Sequence, residues 1–145
     1  MKPPGETRPL DNDFTGETLY RRIERDWVAR IRVDGSASRQ HVTLPGTSFW
    51  RSDQVDENTL TSACPYGVYR MQADDLPNEV PGKTRDGVPD TTYAFRVVDD
   101  PQRDNAAHCQ VWVFADGVPV LSGDPIPAGR QQKLRESLAA KLRRA

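Results

Sequence analysis

The residues with the most chemistry to offer stand together near position 104. Asp99-Asp100-Pro101-Gln102-Arg103-Asp104-Asn105-Ala106-Ala107-His108 places carboxylates, an amide and one of only two histidines in ten consecutive positions. Histidine titrates near neutral pH, a carboxylate can exchange a proton, and an amide can orient a substrate oxygen. His108 and Asp104 are therefore the candidates for moving a proton, and Asn105 for orienting an oxygen. Arg22 and Ser48, distant in sequence, are the further binding candidates, with Arg22 holding an anion. The same ten residues also read as a capped turn, in which Asp104 or Asn105 bonds the backbone and His108 ends a strand.

Other chemistries find less support. The adjacent carboxylates Asp74-Asp75 and Asp99-Asp100 could split their pKa values into an acid and a base, but each pair falls at a strand-to-loop junction, where aspartates cap turns. Neither phosphate-binding glycine pattern occurs, nor does HExxH. A zinc site needs three or four ligands, and beyond carboxylates only His41, His108, Cys64 and Cys109 are present. His108 and Cys109 would point to opposite faces of a strand, so no metal site is expected and no motif asks for a cofactor. Both cysteines read as reduced, buried, small apolar groups.

Elements must position these residues. Residues 1–16 carry three prolines and few large apolar groups, which predicts a flexible arm. Glu17–Ile23 fits a strand or a first helical turn. Trp27, Ala29, Ile31 and Val33 alternate with polar or smaller neighbours, which predicts a half-buried strand over 27–33 turned by Asp34-Gly35. His41–Leu44 reads as a short strand ending at Pro45-Gly46, followed by the aromatic pair Phe49-Trp50. Asp56 is placed to cap a short helix that Pro65 ends, with Thr59 or Leu60 facing inward. Val68–Met71 alternates as a strand, and 74–91 is a long proline- and glycine-bearing loop. Strands follow at 93–98, 109–114 and 118–121, the last two a hairpin across Asp116-Gly117 with Pro119 marking an edge. Leu134, Leu138 and Leu142 recur every fourth position, predicting an amphipathic helix over 130–143. The expected class is α+β: a mainly antiparallel sheet with the C-terminal helix packed on it, one domain over 17–145. Its core should include Trp27, Ile31, Phe95, Val97, Val111, Val113, Leu134 and Leu138.

The chain has 145 residues and a net charge of −1, so it lacks the excess of basic charge that would point to nucleic acid as a partner. Charge is uneven along it. Residues 52–104 hold five cations against eleven carboxylates, a net of −6, whereas 126–145 hold six cations against Glu136 alone, a net of +5. Such a dipole can steer an encounter or let one part of the molecule dock on another. Any nucleic-acid contact would run through the basic helix at 130–144. No run of apolar residues is long enough to span a bilayer and no signal-peptide core is present, which predicts a soluble, cytoplasmic protein with no membrane partner.

Arg21-Arg22-Ile23 with Asp26-Trp27, then Ser48-Phe49, Tyr66-Gly67-Val68, and Asp100-Pro101 with Asp104-Asn105 and Ala107-His108 together resemble a family of small bacterial proteins of unassigned activity. The resemblance runs over about residues 18–110, with Ala106 where that pattern usually has proline, and it implies an accessory role in a bacterial toxin or defence (conflict) system. The opening Leu19-Tyr20-Arg21 also resembles the first strand of small ADP-ribosyltransferase toxins. That resemblance implies a nicotinamide dinucleotide held by Arg21 or Arg22, with Thr47-Ser48 lining the nicotinamide pocket and Tyr66 or Trp50 stacking. The glutamate it requires is missing, since Glu136 lies in the basic helix. With no compact set of acid, base and nucleophile, the sequence is read as a binding or accessory module acting with a protein partner; the transferase is the alternative.

Overall fold

The computed structural model describes residues 16–52, 55–76, 91–99 and 107–145. Strands β1 (Thr18–Arg22), β2 (Gly46–Arg51), β3 (Val68–Gln72), β4 (Tyr93–Asp99), β5 (His108–Ala115), β6 (Val118–Pro119) and β7 (Arg143–Arg144) form one antiparallel sheet. Its order is β4-β5-β2-β1-β3-β7, with β6 paired to β5. Helix α1 (Glu57–Ala63) lies between β2 and β3, and α2 (Ala128–Ala139) follows β6. The α+β class expected from the sequence is what forms.

Period-two alternation sorts the sheet into two faces. Leu19, Phe49, Tyr69, Met71, Phe95, Cys109, Val111 and Val113 point to one side, where they pack with Leu134, Leu138 and Leu142 in the main core. Trp27, Ile31 and Val97 pack against that core while only partly buried. On the other side α1 lays Leu60 and Cys64 over Tyr20 and Val68. Asp56 caps α1 by accepting from the Thr59 amide at 2.7 Å. Leu60, not Thr59, is its buried residue.

Three predicted elements differ. Residues 27–33 are not a strand: Arg25–Arg30 coil into a 3-10 turn and Val33 is fully exposed. Both edges of β1 are already taken by β2 and β3, so the segment satisfies its backbone locally, with the Trp27 amide donating to the Glu24 carbonyl. His41–Leu44 also fails to pair. A 3-10 turn covers Arg39–His41, and the ladder starts just beyond Pro45, which has no N–H to offer it. Gly46 opens β2 because the Trp112 ring sits where a Cβ would stand. Finally, α2 stops at Ala139 rather than 143, and the chain turns so that Arg143 and Arg144 pair with Arg70 and Tyr69 on β3.

Glu17–Ile23, open between strand and helix from sequence, contains β1. The loop at 74–91 is described only at its ends, where Ala73–Asp75 form a 3-10 turn and the Asp74 carboxylate accepts from the Gly16 amide. Most of the N-terminal arm lies outside the described residues.

Candidate functional site

Strands β1 and β2 are in register at Leu19–Arg51 and Tyr20–Trp50 and then part. The Arg21 side chain enters the gap: its Nε donates to the His41 carbonyl and its Nη1 to the Ser48 carbonyl, each at 3.0 Å. A guanidinium therefore satisfies an oxygen that a strand N–H would otherwise reach. The parting opens a cleft of about 300 Å³ lined by Arg21, Arg22, Glu24, Trp27, Ser48, Phe49, Trp50 and His108.

The register explains who meets whom. Tyr20 pairs with Trp50 and Trp50 with His108, so these three side chains stand in one row across β1, β2 and β5. Ser48 and Arg22, two residues along their strands, share that face. Arg22, Ser48 and His108, dispersed in the sequence, thus line one cleft. Asp104 and Asn105 lie outside the described residues. Cys109, beside His108, points the other way and is fully buried in the core.

Electrostatically the cleft is cationic and partly desolvated. Burial pulls the Arg21 guanidinium down to about 10, still charged at neutral pH, with nearby Glu24 opposing the shift. Among the described residues no carboxylate pairs with it; its two bonds go to backbone carbonyls. Arg22 is half exposed and holds Glu24 at 3.2 Å. Arg21 also lies over the Trp27 ring, 5.0 Å from its centre.

Trp27 separates this cleft from a second, of about 250 Å³, lined by Asp26, Trp27, Arg30, Gln40 and His41. The His41 ring stacks on Trp27 with centres 4.5 Å apart. Its Nδ1 shares a 2.8 Å hydrogen bond with the Tyr69 hydroxyl, and its Nε2 has no partner among the described residues. Burial, then the Arg21 and Arg30 charges, push His41 down to about 4, so it is neutral at pH 7. Burial likewise raises the Tyr69 phenol to about 12.

The segment that supplies Arg21, Arg22 and Trp27 to the cleft is rich in cations. Residues 21–39 carry six arginines against three carboxylates. The tail with Lys141, Arg143 and Arg144 docks beside them, through a bridge between Ser36 and Arg143 and a bond from the Arg144 amide to the Gly35 carbonyl. The basic tail thus extends this arginine-rich end.

Sequence reasoning missed Trp27 as a cleft wall, Glu24 as a partner of Arg22, and the buried role of His41. Trp27 and Glu24 depend on the 3-10 turn in place of the strand expected over 27–33, and His41 on the turn at Arg39–His41 in place of the strand expected over 41–44. Of the residues implied by the transferase resemblance, Ser48 and Trp50 line the cleft. Thr47 is fully buried, donating its hydroxyl to the Thr43 carbonyl, and Tyr66 stands apart from the cleft. Among the described residues no group of three metal-ligating side chains comes together, and no helix is long and apolar enough to cross a membrane. No protein-family model, curated protein or solved structure matches this chain.

Proposed function

We propose that the protein is a binding module that takes an acidic segment of a protein partner into the cleft between β1 and β2. The observation that carries this reading is Arg21, a partly buried cation that pairs with no carboxylate among the described residues and is held by two backbone carbonyls at the wall of a cleft. A buried charge is costly unless it is paired, and a fixed guanidinium is already arranged for a carboxylate. The surrounding arginines attract an acidic partner from a distance, and the aromatic walls supply contact area.

The test is capture of partners from the native host by the wild-type protein and by Arg22→Glu, a change at a half-exposed position that the fold should tolerate. A partner held by the wild type, released by moderate salt and lost on charge reversal is the expected result. Identical capture by both proteins, or turnover of a nucleotide by the isolated protein, would overturn the reading.

The transferase alternative draws on Arg22, Ser48 and Trp50 lining the same cleft. About 300 Å³ lies at the small end of small-molecule sites, room for a fragment and not for a whole dinucleotide. Glu24, the one acidic residue among the described residues that line the cleft, is engaged by Arg22. Release of nicotinamide, or modification of a protein, on incubation with nicotinamide dinucleotide would favour this alternative.

A further inference from the structure

Resting on the anion-binding reading, we propose that the cleft receives a chain end of the partner: a free α-carboxylate on an aromatic or large apolar C-terminal residue. Three observations converge on that chemistry.

The first is the unused half of Arg21. Nε and Nη1 are committed to the His41 and Ser48 carbonyls, while Nη2 has no hydrogen-bond partner among the described residues. Arg21 is only partly buried and lines the cleft. A guanidinium fixed by two bonds with a donor left over is arranged in advance for an acceptor group.

The second is Glu24. Its carboxylate sits on Arg22 at the same cleft, so the site already holds one carboxylate, contributed by its own chain. A ligand carboxylate would take the place of Glu24 on Arg22, with the Arg21 charge lining the same cleft.

The third is the wall. Trp27, Phe49 and Trp50 line the cleft together with these cations, so an acceptor bound there has apolar and aromatic surface beside it. A C-terminal residue carries its carboxylate and its side chain on one carbon and enters end-on. An acidic residue within a continuous chain brings two lengths of backbone to a cleft of about 300 Å³, a chain end only one. Inorganic phosphate or acetate would satisfy the cations and leave the aromatic wall wet.

The tryptophans in the cleft give an intrinsic readout, so the wild-type protein can be titrated directly and no variant need fold. The probes are N-acetylphenylalanine, its carboxamide, sodium acetate, inorganic phosphate, and a short acetylated peptide ending in phenylalanine with a free carboxylate. The expected order places the peptide and N-acetylphenylalanine first, with the carboxamide roughly tenfold or more weaker, because a charge-assisted pair is lost. Acetate and phosphate should be weaker still at equal ionic strength. Glu24→Gln should tighten N-acetylphenylalanine by about two- to fivefold, the scale of one exposed ion pair removed as competitor.

The outcomes separate the two readings. Equal binding of acid and carboxamide would mean that the cations are not used, and both readings would fall. Acetate or phosphate binding as tightly as N-acetylphenylalanine would leave an anion site standing and overturn the chain-end assignment. N-acetylphenylalanine binding far more tightly than the peptide would assign the cleft to a free aromatic acid and equally overturn the chain-end proposal.

Discussion

His41 should make the protein acid-sensitive by a calculable amount. The ring is 1% exposed, is stacked on Trp27, and titrates at about 4 when folded, against about 6.5 in an unfolded chain. Between those two values the unfolded state binds the proton and the folded state does not. Stability therefore rises with pH across that window and falls as the solution is acidified from about 6.5 toward 4. The groups facing the ring reinforce the sign: Arg21 and Arg30 oppose a charge there, and Tyr69 offers a neutral hydroxyl at 2.8 Å. Two-state linkage gives a loss of roughly 1.4 kcal/mol at pH 5.5 and about 2.5 kcal/mol at pH 4.5, relative to pH 8. The assay is urea unfolding at several pH values for the wild type and for His41→Phe, which keeps a ring against Trp27 and cannot titrate. Carboxylates elsewhere affect both proteins alike, so the difference between their stabilities isolates the histidine. That difference should shrink or reverse by about 2 kcal/mol between pH 8 and pH 4.5. A difference constant across the range would refute the claim that the buried imidazole stays neutral.

Gly46→Ala should destabilise by about 1–3 kcal/mol, because the new methyl overlaps the Trp112 ring and the Gln110 amide oxygen. Trp112 is fully buried with its Nε1 donating to the Val120 carbonyl at 2.7 Å, which limits its retreat; thermal unfolding checks this, and an unchanged midpoint would show that the ring yields. Leu138→Ala should cost about 2–5 kcal/mol, since Leu138 is fully buried where α2 meets the sheet, whereas Lys133→Ala on the exposed face of the same helix should change chemical stability by less than about 0.5 kcal/mol.

The elements legible from sequence are those whose pairing is local or whose apolar period is long. β5 and β6 were readable because Asp116 and Gly117 both adopt the positive φ that a tight hairpin demands. α2 was readable because Leu134 and Leu138 fall on one stripe. Trp27–Val33 alternated as a strand would and still coiled, because no free edge remained beside β1, and edge vacancy is a property of the assembled sheet. The cleft was half legible. Arg22, Ser48 and His108 could be chosen for their chemistry, yet what brings them together is the register of Trp50 with Tyr20 and His108, which no single segment encodes. Arg21 and Arg22 are adjacent in sequence, yet the first is partly buried and held by two backbone carbonyls while the second is half exposed and holds Glu24.

The strand order has a consequence for how the molecule comes apart. β1, β2 and β3 fall within residues 18–72 and β4, β5 and β6 within 93–119, and within the sheet the two groups meet along the ladder from Gly46–Trp112 to Trp50–His108. That ladder is a seam between two groups of strands that lie far apart in sequence, and the long loop it closes makes it slower to form than the β4–β5 pairing. It is also the natural line of partial opening, so amide exchange along β2 should reveal a sub-global event distinct from complete unfolding. The cleft straddles it, with Arg22 and Trp50 on one bank and His108 on the other. Any occupant that touches both banks therefore acts as a rivet, raising the free energy of seam opening by RT ln(1 + c/Kd) at free concentration c and slowing exchange at amides it never contacts.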